Sequence, residues 1–243
     1  NSLFLSIDTA NKIDVSAKFG IPPVYTVANE SLRDTSGRIL VQQFFYGDLD
    51  GNTQFKRFLA AYSGMGWKII NRPLWTEVSS TKGTKITIYS NKPLDETKDE
   101  DAKAQAALID YMDEAGLNPT VVIHRGHSYY VPYTIKQMPT SAKVVLLGSC
   151  GGYHNIDSVL KISPYAHIIA SKQVGSGTVN QPMIMTLSDL LRQGKDLNWP
   201  ELWKDFGKRF KDNERFDDYV PPHKNLGAIF IMAYKKTLRD SRT

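Results

Sequence analysis

Two imidazoles and one thiol stand at the ends of two short apolar runs. Residues 120–123 (Thr-Val-Val-Ile) lead into His124-Arg-Gly-His127-Ser, and residues 143–147 (Lys-Val-Val-Leu-Leu) lead into Gly148-Ser-Cys150-Gly-Gly152. A thiol attacks as thiolate, and a free thiol with a pKa of about 8.5 is mostly protonated at neutral pH. An imidazole beside it takes the proton and, as imidazolium, stabilises the thiolate. Ser149 before Cys150 and Gly151-Gly152 after it allow a sharp turn and let backbone N–H groups aim at an oxyanion. Either His124 or His127 is a candidate base. Strand residues three apart point to opposite faces, so one of the two reaches the thiol. His127 is preferred, because it follows Gly126 and lies nearer the end of the run. The same residues also read as a packed free cysteine with polar strand-edge histidines.

The elements around these residues must bring them together. Both runs are short and rich in Val, Ile and Leu, as strands buried on both faces are. Side by side and parallel, they share a carboxyl edge, where open α/β sheets place their ligand crevice. Arg38 to Tyr46 reads as a first core strand. A helix follows with Phe55, Phe58, Leu59 and Tyr62 on one face. Trp67 to Asn71 reads as a strand, and Trp75 to Ser80 with Thr84 to Ser90 as a hairpin. From Asp101 an apolar stripe (Ala104, Leu108, Met112, Ala115) predicts a helix that Gly116 ends. Beyond Cys150 the pattern predicts a short helix at Asn155 to Leu160 and a strand at Ala166 to Ser171. Helices are expected at Pro182 to Arg192 and Asp196 to Phe210, with a strand or helix at Leu226 to Tyr234. Strands alternating with helices call for a mainly parallel sheet covered on both faces.

Composition narrows the function classes. The chain has 243 residues, 41% hydrophobic and 23% charged, as a globular α/β domain does. Residues 1–38 read as an N-terminal arm or the end of a preceding domain, with a loose helical spacing from Ser6 to Phe19, and residues 39–243 as the α/β domain. Net charge is +5, but the densest basic cluster, Lys204, Lys208, Arg209 and Lys211, is interleaved with Asp205, Asp212 and Glu214. That is a solvated helix face, and no nucleic-acid partner is expected. No run reaches the roughly 18 apolar residues of a membrane helix. Cys150 is the single cysteine, so neither an internal disulfide nor a zinc–thiolate site is expected, and no metal or cofactor is predicted. A chain beginning at Asn1 suits removal of a leader, which favours a secreted or periplasmic setting.

The motifs resemble those of the caspase-like cysteine peptidases of clan CD, nearest to the gingipain and clostripain types. Gly126-His127-Ser128 resembles their Gly-His motif, with Ser128 where Gly is usual. Leu146-Leu-Gly-Ser-Cys150 resembles their strand ending in a small residue and Cys. Ile168 to Ser171, with the loop from Val174 to Gln181, resembles the segment beyond the nucleophile. The resemblance spans roughly Leu40 to Arg192. It implies a three-layer αβα sandwich with a mostly parallel six-stranded sheet. It also implies a thiol protease, a hydrolase cutting peptide or protein substrates through a His-Cys dyad and a thioester. His127 would be the base, Cys150 the nucleophile, and the backbone of Gly126, Ser128 and Cys150 the oxyanion hole. His124, Ser149, Gly151, Tyr153, Ser171, Lys172 and Gln173 are the candidate substrate pocket.

Two other readings compete. Gly148-x-Cys150-x-Gly152 also matches the nucleophile elbow of α/β-hydrolases and amidotransferases, whose His comes later in the chain. His154, His167 and His223 are the candidates there. The second is a catalytically inactive caspase-like domain that binds or assembles, with Cys150 idle. Specificity and oligomeric state have no signature in the sequence.

Overall fold

The computed structural model of the chain describes residues 14–241. Its central element is an eight-stranded mixed sheet. The strands are β2 (Ile39–Phe45), β3 (Trp67–Asn71), β4 (Trp75–Ser80), β5 (Ile86–Asn91), β6 (Val121–Arg125), β7 (Val144–Leu147), β8 (His167–Ser171) and β10 (Tyr219–Val220), and their order is β10-β8-β7-β6-β2-β5-β4-β3. From β8 to β5 the five central strands run parallel. β10 closes one edge antiparallel to β8, and β4 and β3 extend the other edge antiparallel to β5. The six-stranded caspase-like sandwich expected from the motifs is thereby corrected to a larger mixed sheet. The hairpin of β3 and β4 folds back onto β5 and adds its strands to the same ladder. A separate two-stranded ribbon pairs β1 (Thr26–Val27) with β9 (Leu197–Asn198).

Apolar alternation along the strands divides the core. On one face α2 (Leu49–Ala61), α6 (Gly177–Arg192) and α7 (Trp199–Arg209) bury Phe58, Met183 and Phe206 against Val41, Phe45, Ile123 and Leu146. On the other, α1 (Val15–Phe19), α4 (Val131–Lys136), α5 (Ile156–Ile162) and α8 (Leu226–Asp240) cover Phe44, Val122, Val145 and Ile168. α3 (Glu100–Glu114) packs Leu108 and Met112 on Leu40 and Tyr89. Residues 15–32 belong to this packing: Val15 and Val24 are buried beside α8, and Leu32 is fully buried. The helical spacing read from Ser6 thus appears as α1 over Val15–Phe19, and its earlier residues lie outside the described ones.

Local chemistry explains where the helices begin and end. Asp48 caps α2 by accepting from the Gly51 N–H. α6 starts at Gly177 rather than at Pro182, because Ser176 caps it through the Thr178 N–H. α7 starts at Trp199, where Asn198 accepts from the Glu201 N–H. Gly116, at φ 63°, takes the left-handed conformation just beyond α3. Leu226 opens a full helix, α8, capped by Asn225.

β2 lies between β5 and β6, so the chain leaves β2 toward one side of the sheet and later returns on the other. Such a reversal opens a crevice at the carboxyl ends of the two strands. The crevice falls where β2 runs into Gly47-Asp48 and β6 runs into Gly126-His127.

Candidate functional site

A cavity of about 150 Å³ occupies this edge on the α2/α6 face. Arg125, the last residue of β6, lines it together with Gln54 of α2 and Asn180 of α6. His127, Ser149 and Cys150 line it from the strand-end loops. The sheet alternation that puts Val121 and Ile123 into the α2/α6 core sends Arg125 to the same face.

Arg125 is the distinctive group. Its side chain is 2% exposed, and its only hydrogen bond among the described residues is from Nη2 to Gln54 Oε1, at 2.5 Å. Nε has no partner. No carboxylate lies within ion-pairing distance of the guanidinium among the described residues. Burial lowers its pKa to about 10, so it carries its charge at neutral pH. Asp50 also lines the cavity, but Gln54 stands between the two charges, donating to Asp50 Oδ1 at 3.1 Å. Arg57 approaches from the other side; its Nη1 lies 3.2 Å from where a Cβ on Gly177 would sit.

The remaining wall is built from close backbone contacts. A Cβ on Gly175 would fall 2.4 Å from the Ser149 carbonyl carbon, so only glycine lets this loop lie on the strand end. The Gly151 N–H donates to the Gln173 carbonyl at 2.7 Å, and the Ser171 hydroxyl to the Ser149 carbonyl at 2.9 Å. Asn180 donates to the Gly148 carbonyl, and its own oxygen accepts from the Tyr219 hydroxyl at 2.9 Å. Burial pushes the Tyr219 phenol up to about 12, which keeps it a donor. Ser149 Oγ is buried without a partner. Gly177, at the N-terminus of α6, completes the wall, where a helix favours negative charge.

The expected site residues separate into three groups. Cys150 and His127 share the cavity, with Ser149 and Gly126. Cys150 is an exposed thiol, while His127, half exposed, turns Nε2 toward Asp48 Oδ2 at 3.6 Å and stacks on Tyr129. No hydrogen bond joins the imidazole to the thiol among the described residues. Ser171, Gly151 and Gln173 support the strand-end loops through the bonds above. Ser128 is exposed in the turn after β6, Lys172 lies 5.8 Å from the Tyr153 ring, and Tyr153 packs against the opposite core. His124 also faces the opposite core. It is fully buried, held by Thr134 Oγ1 at 2.7 Å and the carbonyls of Gly126 and His127 at 3.2 and 3.3 Å. Burial lowers its pKa to about 4. Carbonyls only accept, so Nε2 carries the proton and Nδ1 accepts from Thr134.

Sequence reading passed over Arg125, Gln54 and Asn180. Arg125 had a visible signal: a charged residue closing an otherwise apolar, doubly buried strand. Gln54 and Asn180 had none, since a polar residue on an amphipathic helix ordinarily faces water.

No family model matches the chain, and no curated protein matches it. Among solved structures, the G domain of the T. maritima FeoB iron transporter aligns at 12% identity and TM-score 0.32, covering 62% of this chain and 98% of that one. The Roco2 RocCORdC structure of Methanosarcina barkeri bound to GDP aligns at 10% identity and TM-score 0.29, covering 81% and 67%. Likeness at this level carries no ligand over to this chain, and its sequence contains no Gly-Lys-Ser or Gly-Lys-Thr of a phosphate-binding P-loop.

The caspase-like assignment is corrected on the geometry of the site and the sheet: the sheet has eight strands of mixed direction, and the proposed His-Cys dyad is not formed, because His127 turns to Asp48. The cysteine endopeptidase, its peptide or protein substrate, and the inactive caspase-like alternative are withdrawn with it. The nucleophile-elbow alternative has no imidazole to complete it. His167 sits at the opposite end of β8, accepting from Trp199 Nε1 at 2.9 Å, and neither His154 nor His223 lines the cavity. Among the described residues no helix is long and apolar enough to cross a membrane, and no cluster of His, Cys, Asp and Glu could hold a metal ion.

Proposed function

We propose that this chain recognises an anionic group, a carboxylate or phosphoryl group on a small ligand, in the cavity floored by Arg125. The observation that carries the reading is a fully buried guanidinium with one neutral hydrogen-bond partner and no carboxylate within ion-pairing distance among the described residues. Burying a charge without a counter-charge is costly. A planar or tetrahedral anion accepting from the cavity-facing edge of the guanidinium would supply the missing charge and a further acceptor. The N-terminus of α6 and the nearby Arg57 add positive potential, and Asp50 opposes it through Gln54. Cys150 and His127 stand at the mouth, as the side chains that meet whatever part of the ligand projects outward.

Calorimetric titration with inorganic phosphate, succinate and GDP tests the reading and separates the sources of the anion. At least one should bind saturably, and Arg125→Met should weaken it by at least tenfold, since a charge-assisted hydrogen bond contributes about 1.5–3 kcal/mol. Equal affinity in wild type and Arg125→Met, or no binding by any of the three, rejects it.

A further inference from the structure

On the opposite face of the same sheet edge lies a second, larger cavity of about 730 Å³, between α4, the N-terminus of α3 and the turn that precedes it. We infer that this cavity is a binding site for a small organic cation of the guanidinium or ammonium class. Three carboxylates line it, Glu96, Asp99 and Asp101, against one ammonium, Lys136. Its aromatic wall is the stacked pair Tyr46 and Tyr130, with centroids 4.0 Å apart and planes within 5°, joined by Tyr133. Tyr133 is 60% exposed.

The chemistry of this wall selects its ligand. Aromatic faces carry negative potential and attract a cation placed over them. Three carboxylates against one ammonium leave an excess of negative charge. The volume is that of a small-molecule site, far larger than a single ion needs. Asp101 is occupied structurally: Oδ2 accepts from the Gly47 N–H and Oδ1 from its neighbour Ala102. The Tyr130 hydroxyl donates to Glu96, which fixes that carboxylate beside the ring. Glu96, Asp99 and Tyr133 are therefore the groups left to meet a ligand, two by charge and one by its ring face. The inference is independent of the Arg125 cavity, with which this one shares no lining residue.

The test is titration of the full chain, by nuclear magnetic resonance, with butylguanidinium, butylammonium and the neutral isostere butylurea. The cations should shift resonances of Tyr130 and Tyr133 saturably, and butylurea should bind at least tenfold more weakly. Glu96→Gln should reduce cation affinity about fivefold, and Tyr133→Ala by a similar factor. Arg125→Met should leave it unchanged. Asp99→Asn serves as a second charge variant should Glu96→Gln disturb the Tyr130 contact, and it should weaken binding in the same direction. Equal binding of butylurea and butylguanidinium overturns the inference. So does unchanged cation affinity in both charge variants, or the absence of a saturable shift with either cation.

Discussion

His124 and Arg125 are consecutive residues of one strand, both buried, and they are treated in opposite ways. His124 points into the α4 side, where both ring nitrogens have partners and the ring is held neutral. Arg125 points into the α2/α6 side, keeps its charge, and has one neutral partner. Buried polar groups are normally satisfied, because an unmade bond costs about 1–3 kcal/mol. A satisfied buried group fixes structure: His124 ties the Gly126-His127 loop to α4 through Thr134. An unsatisfied one beside a cavity is a group that a bound molecule can satisfy. The contrast moves attention from the imidazoles, which the sequence displays, to the guanidinium between them.

Removing His124 should have the largest effect. His124→Leu deletes the bonds to Thr134 and to two carbonyls, and should cost on the order of 3 kcal/mol in urea unfolding. A loss below about 1 kcal/mol would show that the latch holds nothing. The same residue also makes stability depend on pH. Its folded-state pKa is lowered to about 4, as are those of His167 and His223, all by burial. An unfolded histidine takes a proton near pH 6.5, so the unfolded state gains protons first as the solution is acidified. The stability these groups contribute is present above pH 6.5 and is lost as pH falls from 6.5 toward 4. Unfolding free energy followed across that window should fall in the wild type and fall less steeply in His124→Leu. Parallel curves for the two proteins would assign the acid sensitivity elsewhere.

Much of this was legible from periodicity alone. The two apolar runs at 120–123 and 143–147 do lie side by side and parallel, as β6 and β7, because Val, Ile and Leu filling both faces leaves a central strand as the fitting place. Their carboxyl ends do bring His127 and Cys150 to one cavity. Pattern reading could not supply the partners. Asp48 caps α2 through one oxygen, and its second oxygen is what His127 faces. Gln54 and Asn180 reach the site from helices far away in sequence, on faces whose orientation follows from packing rather than from local spacing. One edge strand escaped for a related reason: β10 is two residues long, too short for any alternation to show, whereas β3 at the other edge is the strand read at Trp67 to Asn71.

Removing Arg125 gives a smaller and more diagnostic effect. If the guanidinium is kept for a ligand, Arg125→Met removes an unpaired buried charge and leaves Gln54 Oε1 short of one donor. These terms oppose each other, and the variant should unfold within about 1 kcal/mol of the wild type. A loss of more than about 2 kcal/mol would mean that Arg125 is a structural support like its neighbour, and the contrast between the two would collapse.

The finest discrimination uses the thiol as a reporter of the charge behind it. Cys150 is exposed at the mouth of the cavity, so small alkylating agents reach it. Its thiolate displaces iodide from iodoacetate and iodoacetamide alike, forming a new carbon–sulfur bond in each case, but only iodoacetate carries a carboxylate. On an ordinary exposed thiol the anionic reagent has no advantage. Beside a buried guanidinium with no carboxylate in ion-pairing distance its carboxylate enters first and holds the reacting carbon near sulfur. The rate ratio of iodoacetate to iodoacetamide should therefore exceed that of free cysteine by several-fold, as charge steering within a Debye length allows. It should return to the free-thiol ratio in Arg125→Met and when a bound anion fills the cavity. A wild-type ratio equal to that of free cysteine would mean that Arg125 does not act on what enters, whatever its burial.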